Sequence, residues 1–183
     1  MKKIIIRVFI GLGILAVVLF IAFQILISNT KKHSPEDTVV FKQGDTEMTV
    51  FYCKPSKKGR VIFGELVPYK EVWRTGANEA TTFTTNKALK IGDKTLEAGK
   101  YTIWTIPDEK EWTVIFNKKQ YGWGVGFNQK ASRDPESDVI QFKTPVEKQE
   151  SVTEQFTISF EKGDQVNLNL AWDQVKVSVP MEF

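Results

Sequence analysis

The sequence predicts an all-β antiparallel sandwich, with a barrel as runner-up, preceded by one N-terminal transmembrane helix. Three observations predict it. No charged residue occurs from Val8 to Phe23. From Thr38 onward apolar and polar residues alternate with period two, in short runs parted by turn residues, as half-buried strands do. After residue 28 no apolar stripe of helical period is long enough to make a helix.

The first element is the run VFIGLGILAVVLFIAF, which only Gln24 interrupts on the way to Ile27. A helix rises about 1.5 Å per residue, so roughly 20 apolar residues cross a hydrocarbon core of about 30 Å. Gly11 and Gly13 are tolerated in lipid. A cleaved signal would need a shorter apolar core and a small-x-small site, and Phe23 to Ser28 offers none. No Cys follows the run to accept a lipid until Cys53. A buried soluble helix is the third reading, opposed by the uniform hydrophobicity and the flanking lysines. The anchor over residues 8–27 is therefore preferred. Lys2, Lys3 and Arg7 precede it, against Lys31 and Lys32 beyond, so the short tail 1–7 is expected in the cytoplasm and the rest outside. Residues 28–37, SNTKKHSPED, read as a polar linker, and 38–183 as the strand domain.

Within that domain Cys53 sits in the strand-like TVFYCKP and reads as a small buried hydrophobe. Gly92-Asp93 signals a hairpin, and Ala98-Gly99 a second break. Tyr101 to Ile106 is a strand, Pro107 to Lys110 a turn, and Glu111 to Phe116 a strand. Trp104 and Ile106 fall on one face, Tyr101 and Ile103 on the other, so both faces should be covered. Asn128 to Ser137 is the expected mobile loop. Phe156, Ile158 and Phe160 alternate with polar residues before a turn at Gly163-Asp164. Val166 to Trp172 follows, then a reversal expected at Asp173-Gln174 and a last strand through Val175, Val177 and Val179.

Composition excludes several functions. The chain has 183 residues with 25 Lys+Arg and 22 Asp+Glu; Lys2, Lys3 and Arg7 supply the whole excess of +3. The folded part has no net basic charge, so no nucleic acid partner is expected. One Cys and one His leave no internal disulfide and no histidine cluster. His33 lies in the linker, away from any Ser or Cys triad, and zinc lacks ligands. No EF-hand spacing occurs. Neither cofactor nor metal is expected.

The most distinctive segment is GRVIFGELVPYKEVWRTGANEATTFTTN, residues 59–86. With Ser34-Pro35, LEAGKYTIWTIP, WTVIFNK, Trp123-Gly124 and the closing LAWDQVKVSVP, it resembles domain-of-unknown-function family 2911, a group of bacterial extracytoplasmic proteins. The resemblance spans Ser34 to Pro180 and is weakest from Gly126 to Asp138. It implies one mostly-β domain, exported or membrane-tethered, without an established activity.

Candidate site residues concentrate in VPYKEVWRTGANEATT, where Tyr69, Glu71, Trp73, Arg74, Asn78 and Glu79 surround Gly76. An aromatic plate beside a guanidinium, an amide and a carboxylate suits a polar ring such as a sugar. The same string also suits a fixed crossover. There Arg74 would pair with a buried carboxylate, Asn78 would make a turn, Gly76 would take positive φ, and Trp73 would plug the core. QYGWGVG places Trp123 in an exposed loop, free to stack on a ligand or meet headgroups. The ligand candidates are thus Tyr69, Trp73, Arg74, Asn78, Glu79 and Trp123. The expected function is a ligand- or partner-binding module of the cell envelope, anchored in the bilayer by residues 8–27, its partner an envelope glycan or a protein. One alternative is a carboxylate-based hydrolase of an envelope glycan, with Glu79 paired to Glu71 or Glu65 and Arg74 as electrostatic partner. The other is a purely structural envelope protein.

Overall fold

A computed structural model describes residues 2–126 and 128–183. Residues 1–33 and 34–183 form two separate units. The first is one helix, α1, Lys2–His33. From Phe9 to Leu26 its large apolar side chains are exposed, and Phe9–His33 is long and apolar enough to cross a membrane. Lys31 and Lys32 lie in its last turn, where cations complement the helix dipole. The polar residues 28–33 therefore continue the helix instead of forming a loose linker. Their side chains compete weakly with a backbone already propagating as helix. Only Ser34 and Pro35 separate the helix from the first strand.

The second unit is built from strands: β1 Glu36–Gln43, β2 Thr46–Cys53, β3 Thr82–Thr85, β4 Leu89–Ile91, β5 Lys94–Leu96, β6 Gly99–Ile106, β7 Glu111–Asn117, β8 Asp138–Pro145, β9 Glu147–Lys162 and β10 Val166–Met181. A six-stranded antiparallel sheet runs β1-β2-β3-β6-β7-β8; β9 and β10 make a long ribbon, and β4 and β5 a small hairpin. β1 and β8 are opposite edges of the sheet, so no barrel closes and the architecture is sandwich-like.

Alternation explains the core. Met48, Val50 and Tyr52 of β2, Tyr101 and Ile103 of β6, and Trp112, Val114 and Phe116 of β7 face inward. They meet Phe156, Ile158, Leu168, Leu170 and Trp172 of the ribbon. Each large apolar side chain so buried contributes roughly 1.5–3 kcal/mol. The opposite face of the sheet carries a smaller cluster of Ala80, Trp104 and Ile115, packed by Val72, Ile106, Tyr121 and Ala131. The expectation that both faces of β6 are covered holds. What covers the second face is the crossover after β2 and the loop after β7.

Two local expectations are corrected. Asp173-Gln174 is not a reversal: β10 runs straight through as one strand, with register shifts on either side of Asp173. Asp173 takes a left-handed φ of 55° and pairs with the Lys57 ammonium. The polar pair thus makes a β-bulge, which breaks apolar alternation just as a turn does. The segment Asn128–Ser137 is also more tied down than a mobile loop. Arg133 forms an ion pair with Asp138, their side chains only 11% and 8% exposed. Asn117 Nδ2 donates to Asp134 O at 2.7 Å and Asp138 Oδ1 at 2.8 Å. Tyr121 Oη donates to Asn117 Oδ1 at 3.2 Å and accepts from Asp134 N at 2.8 Å. Burial alone would raise the Asp138 pKa; hydrogen bonds from Arg133, Asn117 and Gln141 outweigh it and hold the carboxyl below its ordinary value.

Candidate functional site

The site begins where the crossover between β2 and β3 rejoins the sheet. Trp73 pairs with Thr105 of β6, N to O at 2.7 Å and 3.0 Å in the two directions. Strand alternation then sends Trp73 to one face and its neighbours Val72 and Arg74 to the other. Trp73 goes into the main core. Its ring lies 5.9 Å from Trp172 in a stack and 5.0 Å from Phe156, and its Nε1 donates to Gly76 O at 3.1 Å. It plugs the sandwich and presents no plate to a ligand.

The next residues are strained. Thr75, Gly76 and Asn78 have φ of 57°, 142° and 55°. A buried β-branched residue at positive φ is an outlier that costs about 1–3 kcal/mol. It is held by its hydroxyl, 3.1 Å from that of Thr105, and by Thr81 Oγ1 donating to Thr75 O at 2.5 Å. Gly76 must be glycine on two counts. Its φ lies in the left-handed half, and a Cβ there would stand 2.9 Å from Cys53 O. The crossover therefore lies directly on the end of β2.

That contact brings Cys53 into the group. Tyr52 faces the main core, so Cys53 faces the other way, fully buried beneath the crossover. Its Sγ donates to Glu79 Oε2 at 3.3 Å. Burial, then the neighbouring Glu79 carboxylate, pushes the thiol pKa up to about 11. Cys53 is the small buried residue that the sequence predicts, and its thiol in addition donates a hydrogen bond to a carboxylate. Alternation from Tyr52 is the sequence signal that could have found it.

Arg74 is half-buried. Its stem lies on Gly124, where a Cβ would come within 2.6 Å of Arg74 Cδ and 2.7 Å of its Cβ. Burial lowers the pKa of its guanidinium, offset in part by the nearby Cys53. Among the described residues the guanidinium makes no hydrogen bond and no ion pair. The buried Arg74–carboxylate pair of the crossover reading is not formed. Asn78 gives its side chain to Ser34 O at 3.3 Å and its carbonyl to Gly124 N at 3.0 Å. Trp123 pairs with Glu79 across a short antiparallel bridge and is 39% exposed. Residues opposite each other in such a bridge have Cβ atoms about 5 Å apart, so Trp123 stands beside Glu79.

Arg74, Asn78 and Glu79 thus come together near Cys53, and Trp123 joins only through its bridge to Glu79. Tyr69 does not join them: it packs on Gly64 beside Asp108 and Glu109. Glu65 and Glu71, the other carboxylates considered for hydrolysis, are exposed. Among the described residues no three of His, Cys, Asp and Glu gather as a metal site. The crossover thus holds one guanidinium without a protein acceptor among the described residues.

No curated protein and no solved structure matches the chain significantly. The sequence model described as "Protein of unknown function (DUF2911)" matches residues 34–181, from the first residue after α1 to the end of β10. That span contains every strand and the whole group around Arg74, and the chain belongs to the DUF2911 family.

Proposed function

We propose that this chain is a single-pass envelope protein whose strand domain stands outside the cytoplasm and binds a ligand or partner through the group around Arg74. The apolar helix with Lys2, Lys3 and Arg7 before it supports the placement. The observation that carries the binding reading is the Arg74 guanidinium, half-buried and without a protein acceptor among the described residues. A structural scaffold would be expected to satisfy such a charge internally.

The two readings separate on stability. Arg74→Met keeps the buried stem and removes the charge. If Arg74 were architectural, the loss would be about 3–5 kcal/mol, the cost of breaking a buried pair. On the binding reading Arg74→Met stays within about 1 kcal/mol of wild type or exceeds it, because no partner is left unpaired. Arg133→Met, which strips a real partner from Asp138, supplies the contrast and should cost about 3–5 kcal/mol. Urea denaturation of all three proteins measures it. Equal losses in the two variants would sink the binding reading.

A further inference from the structure

Gln24 interrupts the apolar part of α1. It lies within Phe9–His33, and the next charged residue, Lys31, is seven positions later, about 10 Å along the helix. At that depth the amide stands in hydrocarbon, where two N–H donors and a carbonyl left unpaired are costly. Thr30 Oγ1 donates to Ile27 O at 2.7 Å, whereas Gln24 is exposed and its side chain makes no hydrogen bond among the described residues.

The residues in line with Gln24 form a distinct face. With about 100° of turn per residue, Ile10, Ile14, Val17, Ile21, Gln24 and Ser28 fall within an arc of about 80°. Every leucine of the helix, Leu12, Leu15, Leu19 and Leu26, falls within an arc of about 60° on the opposite side. The first face advances by alternating steps of four and three, the repeat of helices that wrap left-handed around each other. Its apolar members are all β-branched and exposed. Such side chains hold one main rotamer in a helix, so packing costs them little entropy. In lipid that counts, because helices associate there through close packing and interhelical hydrogen bonds and not through the hydrophobic effect.

Resting on the membrane placement above, though not on Arg74, we propose that α1 pairs in parallel with α1 of a second copy of this chain along the face from Ile10 to Ser28, each Gln24 amide donating to the carbonyl of the other. A second copy is the partner that the chemistry fits. An amide is its own complement, donor to acceptor in both directions. Two identical chains inserted the same way round carry it at the same depth, and a two-fold axis between them sets each Ile and Val of the face against its own counterpart. Ser28 adds a hydroxyl to the same face one turn after Gln24.

Oxidative cross-linking of the full-length chain in carbonate-washed membranes tests this. Cys53 is buried and stays in place, so the unaltered chain is the blank. Single variants Ile14→Cys, Val17→Cys and Ile21→Cys on the pairing face, and Leu12→Cys, Leu15→Cys and Leu19→Cys on the other, are oxidised with copper phenanthroline and run on non-reducing gels. The pairing-face variants should give a strong band at twice the chain mass, and the leucine-face variants little or none. Energy transfer between chains labelled at the N-terminus, diluted in phosphatidylcholine vesicles, then measures the amide. Gln24→Leu, which makes the helix more apolar and keeps it in the bilayer, should weaken pairing about tenfold, and Gln24→Asn should restore most of it. Cross-links of equal strength on both faces, or strongest on the leucine face, overturn the pairing face. Unchanged energy transfer in Gln24→Leu overturns the amide pair. A cross-linked band at another mass means a different membrane protein and overturns self-pairing. No cross-link in any variant, with the chain retained in the pellet, overturns the dimer and leaves the anchor standing. A chain that washes out of the pellet sinks the membrane placement and the dimer with it.

Discussion

A thiol with a carboxylate on its proton and no exposure to water is a poor nucleophile. With its pKa at about 11 in place of an ordinary value near 9, Cys53 has a thiolate fraction about 100-fold below that of a free cysteine. Burial slows attack further. Iodoacetamide at pH 8 should therefore label the native domain slowly and the urea-unfolded chain at once, with mass spectrometry counting the adduct. The same shift makes a stability statement. The folded state holds this proton more tightly than the unfolded chain does, so the contribution is complete below about pH 9. It is lost as pH rises through about 11. Tyr52 also has its pKa raised, by burial first, so in the fold it keeps its proton to higher pH than a free tyrosine. Cys53→Ala is therefore compared with wild type at each pH: the difference between their urea midpoints should change across pH 9 to 11 and stay flat below. A difference that stays flat throughout would mean the thiol ionises as freely in the fold as outside it. At this scale the sequence was only partly legible. Gly76 could be assigned a positive φ, because its neighbours are turn formers. The partner of Cys53 lies 26 positions away, and only the crossover's path brings Glu79 to it.

At the scale of elements, alternation identified most of the strands, and it failed at Asp173. Val166 to Trp172 and Val175 to Val179 are both clean period-two runs, and the polar pair between them satisfies a turn and a bulge equally. What decides is Lys57, which arrives from the β2–β3 crossover to pair with Asp173 and is invisible to any local pattern. The limit applies equally to Arg74. Its residue type suggested either an ion pair or a ligand, and only the placement of the loop after β7 shows no carboxylate brought to it among the described residues. That loop meets the crossover through Gly124, and the contact has no slack. Gly124→Ala puts a methyl group 2.6–2.7 Å from Arg74 Cδ and Cβ; Cβ sits at the root of the side chain, which cannot swing aside alone. The variant should lose about 1–3 kcal/mol to overpacking. Gly122→Ala, where a Cβ meets nothing within 4 Å, should be close to neutral. Thermal melts of the pair check this. An equal effect at both positions would mean that backbone freedom, and not the Arg74 contact, is what glycine supplies in this loop.

The whole molecule joins two units of opposite character, an apolar helix and a strand domain with its own core. Among the described residues every buried apolar side chain of the core lies between Met48 and Met181, so residues 34–183 are expected to fold without α1. The helix is long and apolar enough over Phe9–His33 to be a candidate membrane span. In a bacterial host, carbonate-washed membranes should retain the full-length chain, and residues 34–183 made without the helix should be soluble. A shortened chain released to the soluble fraction would mean that the helix is a signal removed by cleavage. Orientation rests on a narrower margin. Lys2, Lys3 and Arg7 stand against Lys31 and Lys32, and acidic residues hardly count in this balance. Replacing Lys2, Lys3 and Arg7 by Gln leaves the basic excess on the far side of the helix. Protease added to spheroplasts should digest the strand domain of the wild-type chain and spare it in a substantial fraction of the triple variant. A wild-type domain that protease cannot reach would put Arg74 and Trp123 on the cytoplasmic side, where no envelope glycan could meet them.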